Sequence, residues 1–361
     1  MEIGVDTFVE TTPDAHTGEV ISHAERLRQV VEEIVLADRV GLDIFGVGEH
    51  HRKEFGDSAT AVILAAAAPM TKRIRLTSSV TVLSAADPVR LFQQFATLDG
   101  LSNGRAEIIA GRGSMVDAFP LFGYDLKDYD QLYEEKLELL LQLRESEKVT
   151  WKGGFRPAFT DLGIYPRPVQ SRLPVWIGSG GSPESVIRAG ELGLPLVLAI
   201  IGGSPLRFAP LVPLYKNAAA LAGHDVSKLK IAVHSLGYVG ESNSLAAEKY
   251  FPSTQASFNY FARERGWGQY TRSQFDDSRT LEGALYVGDS ETVANKIIFM
   301  SKHLGFTRFF LHLPVGTMPH EDVLKAIELL GKEVAPRVRE EIAKSAEISH
   351  GKKALTSTEN V

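Results

Sequence analysis

Short apolar runs alternate with amphipathic stretches along nearly the whole chain. The runs at 3–9, 44–48, 74–83, 106–110, 175–178, 196–201, 231–239 and 309–315 are rich in Val, Ile, Leu and Phe, and several are apolar on both faces. Strands of a parallel sheet covered on both sides have this character. Between the runs the spacing shifts to the helical period. At 22–40, Ser22 with Glu25 three residues on has the form of a capping box. Leu27, Val30, Val31, Ile34 and Val35 then recur at helical spacing, and Gly41 ends the segment. Further helices are expected at 58–69, 88–101, 129–145, 182–192, 205–222, 244–265, 290–304 and 321–341. Eight strands with intervening helices predict an α/β chain closed into a (β/α)8 TIM barrel. A doubly wound sheet is the rival, but eight regular units favour closure.

Two stretches exceed a minimal barrel of roughly 250 residues. One, 149–172, is rich in Gly, Pro and aromatics; the other, 251–283, contains FARERGWGQYTRSQFDD. Such lengths in a compact domain are usually lids or disordered segments. The expected organisation is one domain over 1–345 carrying both insertions, then a polar tail at 346–361.

Composition narrows the function. The chain has 361 residues and net charge −6, so no general basic character draws it to nucleic acid. It has no cysteine, which excludes disulfides, thiolate metal sites, Fe–S clusters and a Cys nucleophile. The opening MEIGVDTF lacks a basic segment followed by an apolar one, and no apolar run nears the ~20 residues of a membrane span. A cytoplasmic protein without membrane contact is expected.

In a barrel of this kind, chemistry sits where strands end at the C-terminal face. The second strand ends in IFGVGEHHRKEFGD, placing Glu49, His50 and His51 at its mouth. His titrates nearest neutrality, so catalysis competes with a structural bond to backbone. Adjacent histidines point to opposite sides of an extended strand, so they do not readily grip one ion, and there is no HExxH or calcium-type loop. The third strand carries Thr77, Ser78 and Ser79 before Val80, three hydroxyls that need partners inside a barrel. The fourth ends in Gly111-Arg112-Gly113, where small neighbours let a flat or anionic ligand approach. The fifth reads PVWIGSGGSPESVIRAGELG: strand, glycine turn at Gly178, Gly180 and Gly181, then Ser182 as N-cap with Pro183 after it. Free N–H groups and the helix dipole make that turn an anion site, and phosphate is the usual anion, although it matches neither GxGxxG nor a P-loop. The sixth strand ends in AIIGGSP, another Gly-Gly turn. In the second insertion, Trp267, Tyr270 and Arg272 could cap a pocket or pack on the rim. A phosphate-bearing cofactor fits this set better than a metal or a sugar.

Several of these segments resemble the bacterial luciferase-like monooxygenases, flavin-dependent barrels. EHHRKEFG is similar to the luciferase α-subunit's EHHFTEFG. SSVTVLSAADPVR and LSNGRAEIIAGRGS resemble its third- and fourth-strand segments, and the helix from Ser182 through Leu194-Pro195 also corresponds. The resemblance covers most of the chain and is densest from 40 to about 200. It implies FMN at the barrel mouth, used in reduced form with O2 to oxidise a small organic substrate, with a flavin reductase as supplier and a homodimer as the common assembly. It places the catalytic histidine at His50 and a non-proline cis peptide behind the flavin at Ser79–Val80. It places phosphate binding at Arg112, Gly180, Gly181 and Ser182. Three positions depart. Gly111 stands where luciferase has a cysteine, Asp130 where it has a second phosphate-binding arginine, and Ile200 where it has an indole. Light-emitting aldehyde oxidation is therefore not implied. The alternatives are the deazaflavin F420 in a hydride-transfer enzyme of the same fold, a non-catalytic flavin-binding protein, and a metal-dependent barrel hydrolase resting on the His pair alone.

Overall fold

The structure is a computed structural model and describes residues 1–345 apart from Ser114 and Trp267; Trp267 and the tail expected at 346–361 lie outside the described residues. Eight parallel strands close on themselves: β1 (Glu2–Thr7), β2 (Ile44–Val47), β3 (Arg75–Ser78), β4 (Ala106–Gly111), β5 (Val175–Ser179), β6 (Leu196–Ala199), β7 (Ile231–Val239) and β8 (Arg308–His312). The ring is sealed where β6 pairs with β7, β7 with β8 and β8 with β1. Outside it stand α1 (His23–Arg39), α2 (Thr60–Ala67), α3 (Pro88–Ser102), α4 (Tyr129–Glu145), α5 (Pro183–Glu191) and α6 (Leu211–Leu221). They are followed by α7 (Asn243–Arg265), α8 (Arg272–Arg279), α9 (Ser290–Leu304) and α10 (His320–Leu329), the last continued by one π-helical turn at Leu330–Val334.

Local chemistry accounts for these elements. Ser22 caps α1 by accepting the Glu25 N–H, and Val30, Ile34 and Ala37 are buried on its inner face. Asp87 caps α3 in the same way, with Pro88 at its first position. The third apolar run does not continue unbroken to 83. It stops at Ser78, turns through a cis Ser79–Val80 peptide and resumes at Thr81–Val82. The helix expected over 205–222 is split, because Pro210 lacks an N–H to continue the preceding short turn. Residues 149–172 contain an antiparallel hairpin, Lys148–Trp151 with Phe159–Gly163. Most of 251–283 is helical, with Thr271 and Gln274 forming a capping box at the start of α8.

The barrel interior is tiered. At the N-terminal end Arg308 pairs with Glu107 at 2.6 Å and Glu2 at 2.7 Å, its guanidinium 4.3 Å from the Trp176 ring. Arg75 pairs with the same Glu107. Buried charges are tolerated when matched like this, and losing one partner is costly. Above them lies an apolar plug of Ile44, Ile109, Trp176, Val197, Ala232 and Phe310. The tier above that, at the C-terminal mouth, is polar.

Candidate active site

His50 lies three residues beyond the end of β2. Its Nδ1 is 2.8 Å from Asp57 Oδ2, and its backbone N–H donates to Asp57 Oδ1 at 3.0 Å. Asp57 is wholly buried. Burial pushes its carboxyl up, against the pull of the His50 ring. With Nδ1 engaged by a carboxylate, Nε2 is the nitrogen left for chemistry. The ring stacks on Phe55 at 4.4 Å and tilts against Phe8 at 4.7 Å. Phe55 stacks in turn on Phe261 of α7 at 5.8 Å. Arg52 pairs with Glu264, and Tyr260 donates to Glu54, each at 2.6 Å. The helix from the second insertion therefore clasps the loop that holds His50. Glu49 accepts from the Val82 N–H at 2.9 Å and lies 3.1 Å from His51 Nε2. It ties this loop to the chain just beyond the cis peptide, while His51 faces away from His50's carboxylate.

The hydroxyl run on β3 divides. Thr77 donates to the Ser78 carbonyl and Ser78 to the Ile109 carbonyl of the neighbouring strand, so both bond to backbone and only Thr77 does so locally. Ser79 instead reaches across to Asp6. The Val80 side chain fills the space over Gly111 and Gly178; a Cβ at Gly178 would lie 2.9 Å from Val80 Cγ1. A side chain at Gly111 would displace Val80 from the floor of the mouth.

The glycine turn after β5 lies beside Arg112. The Arg112 Nη2 is 3.3 Å from Ser182 Oγ and 3.2 Å from Ser185 Oγ, and Nη1 pairs with Asp130 at 2.6 Å. Ser182 has N-cap dihedrals, but its hydroxyl bonds Ser185 at 2.9 Å rather than the helix backbone. The first N–H groups of α5 are thus left for a ligand. Gly181 has φ +104°, and a Cβ there would run into the Phe208 ring at 2.6 Å. Arg207 lies over that ring at 5.1 Å and has no carboxylate partner among the described residues. The strands thus bring Arg112, Gly180, Gly181 and Ser182 together on one side of the mouth, with His50, Ser79 and Val80 lining the rest. A surface groove of about 790 Å³ lies elsewhere, between α4, α5 and the hairpin. It contains none of these groups.

The description "Luciferase-like monooxygenase" belongs to the family model that matches residues 1–308. The chain belongs to the luciferase-like monooxygenase family. Within it, an F420-dependent glucose-6-phosphate dehydrogenase from Amycolatopsis mediterranei is 32% identical over 207 residues, 55% of this chain and 61% of that one. Among solved structures, the monooxygenase RslO1 from Streptomyces bottropensis superposes with TM-score 0.81 at 23% identity, covering 93% of this chain and 99% of that one. The oxygenating component of 3,6-diketocamphane monooxygenase from Pseudomonas putida, in complex with FMN, gives 0.74 at 20% identity, covering 94% and 98%. These likenesses fix the luciferase-like barrel fold. The relatives include both FMN and F420 proteins, so the choice of cofactor rests on this chain's own residues.

Three further polar residues near the mouth drew no attention in the sequence. Asp57 lies only seven residues after His50, inside the quoted stretch, and was legible as a carboxylate within reach. Arg207 follows the Gly-Gly turn after β6 and had no local signal beyond its charge. Glu10, just past β1, is buried and accepts the Gly316 N–H. Burial pushes its carboxyl up to about 8, offset in part by that N–H and by Arg26. Between its ordinary value of 4.5 and about 8 the folded chain holds a proton that the unfolded chain has released. Stability should therefore fall as pH rises through that window. Glu10→Gln, which keeps an acceptor for Gly316 and cannot ionise, should melt several degrees above the parent at pH 8 and close to it at pH 5. Calorimetry at both pH values checks this; equal shifts at the two would mean Glu10 is ionised throughout.

Proposed function

We propose that this luciferase-family protein is an FMN-dependent monooxygenase. It uses reduced FMN, supplied by a separate flavin reductase, and O2 to oxidise a small organic molecule. The observation that carries this reading is the cluster of Arg112, Ser182 and Ser185 at the open N-terminus of α5, on a turn where Gly181 leaves no room for a side chain. Backbone N–H groups, two hydroxyls and one guanidinium suit a single phosphate. Asp130 beside Arg112, and Glu184 in the first turn of α5, make the surroundings too acidic for a longer polyanionic tail such as that of F420.

When bound, reduced flavin supplies the electrons that let one oxygen atom of O2 enter the substrate. The chain's own residues do the rest. Arg112, Gly180, Gly181 and Ser182 would hold the phosphate end, and Ser79, Val80 and Gly111 would form the surface against the ring. Phe8, Phe55 and Phe261 exclude water, which strengthens every polar contact inside. His50, oriented through Nδ1 by Asp57, gives or takes a proton at Nε2. Helix α7 closes the loop over it.

The test has two parts. Fluorescence titration should show FMN binding more tightly than F420. Reduced FMN with O2 should then convert at least one member of a panel of aldehydes, ketones, alkanes and sulfonates. Preferential F420 binding, with reduction of an acceptor in the absence of O2, would replace this reading with a hydride-transfer enzyme of the same fold.

A further inference from the structure

Asp6 is fully buried at the polar top tier of the barrel. Its oxygens take three partners: Ser79 Oγ, His234 Nδ1 at 2.7 Å and His312 Nδ1 at 3.2 Å. The fold converges on this point. Asp6 and His312 are register partners on β1 and β8, and His234 comes from the next strand, β7. Ser79 reaches from the far side of β2 only because Gly46 intervenes; a Cβ there would lie 2.8 Å from Ser79 Cβ and 2.9 Å from Asp6 Cβ. Burial alone would raise the Asp6 carboxyl, but the two imidazoles outweigh it and hold it well below the ordinary range.

An ionised carboxylate only accepts hydrogen bonds, so both Nδ1 atoms must donate. In its neutral form each ring then presents a bare Nε2. Among the described residues neither Nε2 has a protein partner. Neither belongs with the sealed-off polar atoms that lack one, which are Ser84 Oγ, Trp151 Nε1, Tyr250 OH and His320 Nδ1. The His234 side chain is the more accessible of the two, 7% exposed against 1% for His312. Burial holds His312 towards its neutral form, with Asp6 opposing. The Phe8 ring stands 4.1 Å from His312 and 4.7 Å from His50, so the carboxylate–imidazole pair sits across one aromatic from His50, the acid/base proposed above.

We propose that His234, oriented by Asp6 and flanked by His312, is a second acid/base of the active site that receives a substrate hydroxyl, so that the organic substrate is an alcohol or a phenol. The inference rests on the oxidoreductase reading above and names its substrate class. The O–H hydrogen bonds to His234 Nε2. Its proton passes to that nitrogen, the O–H bond breaking and an N–H forming, and the resulting imidazolium faces the Asp6 carboxylate as in other carboxylate–histidine bases. His312 stays as the second acceptor. The titratable groups around His234 are Asp6, His312 and, beyond Phe8, His50. A metal ion is the competing occupant, since one atom from each of Asp6, His234 and His312 lies within 4.8 Å of the others. Bound through the two Nδ1 atoms it would displace their hydrogen bonds to Asp6, and the proposal excludes it.

The probe is para-nitrophenol, whose phenolate absorbs in the visible. Added to the FMN-loaded protein, it should bind with its absorbance shifted to the phenolate and its midpoint moved to lower pH. His234→Asn and Asp6→Asn should each weaken binding at least about tenfold, the loss expected for a charge-assisted hydrogen bond, and abolish the shift, with FMN affinity unchanged in His234→Asn. In the parent, para-nitroanisole, the same ring without an O–H, should bind at least about tenfold more weakly. That comparison needs no variant to fold. An equal affinity for the anisole, an undiminished phenolate band in His234→Asn, or a stoichiometric metal lost in that variant would overturn the proposal. Running the probe without flavin separates the two readings. Phenol recognition in a chain that fails to bind FMN keeps His234 and removes the cofactor, while normal FMN binding without phenol recognition does the reverse.

Discussion

A Ser182→Asp variant should lose FMN binding in a fluorescence titration while melting at or above the parent's temperature. Ser182 occupies the N-cap of α5, and Asp is at least as good there as Ser. The new carboxylate would also favour the helix dipole by about 0.3–1 kcal/mol. The fold therefore has no reason to suffer. The ligand does. Ser182 Oγ lies 3.3 Å from Arg112, so the added charge would satisfy the guanidinium and occupy the anion site itself. Two like charges about 4 Å apart at an effective dielectric of about 20 repel by ~4 kcal/mol, roughly a thousandfold in affinity. Ser182→Ala, which removes a hydroxyl and adds no charge, should cost only several-fold. If Ser182→Asp left affinity unchanged, the phosphate would lie elsewhere, and Arg207→Ala would be the next variant to titrate.

The barrel was legible because its strands are apolar on both faces, and few folds need eight such runs in alternation with helices. Boundaries were less legible where backbone chemistry intervened. The break at Ser79–Val80 leaves no mark on hydropathy, since Val80, Val82 and Leu83 keep the run apolar. Pro210 was visible, but the run it interrupts is helical in pattern on both sides. The candidate site divides along the same line. His50 and the glycine turn stood out because the residues that explain them are neighbours in sequence, and Arg112 because glycines flank it, although its partners lie 18, 70 and 73 residues away. Asp6, His234 and His312 did not, because each sits in a mainly apolar strand with no partner nearby in sequence, and their bonds join positions 228 and 306 residues apart. Only closure of the ring makes them adjacent. Glu49 had no evident purpose in the chain for the same reason, its partner Val82 being 33 residues away on another strand.

His50→Ala carries the second large effect. It should bind FMN within about twofold of the parent, because His50 touches none of the residues assigned to the phosphate, yet turnover of an accepted substrate should fall by about 10²–10⁴-fold, the usual share of a positioned acid or base. Asp57 decides whether His50 works alone. In the parent its carboxylate holds Nδ1 at 2.8 Å and so fixes which nitrogen faces the substrate. Asp57→Asn keeps an acceptor for the backbone N–H but removes the charge that sets the tautomer, so it should lose a large part of the same activity and displace the acidic limb of the pH–rate profile. Residues that act as one unit are not additive. The double variant should therefore be little slower than His50→Ala. Fully additive losses would mean that the two side chains contribute separately, and that the Nδ1 bond is structural. Stability gives an independent reading. Without the imidazole, Asp57 stays buried with one attraction fewer, and its carboxyl, already pushed up by burial, should rise further. The folded variant would then hold a proton over a wider range than the unfolded chain, so its melting temperature should drop more steeply than the parent's as pH is raised from about 5 to 8.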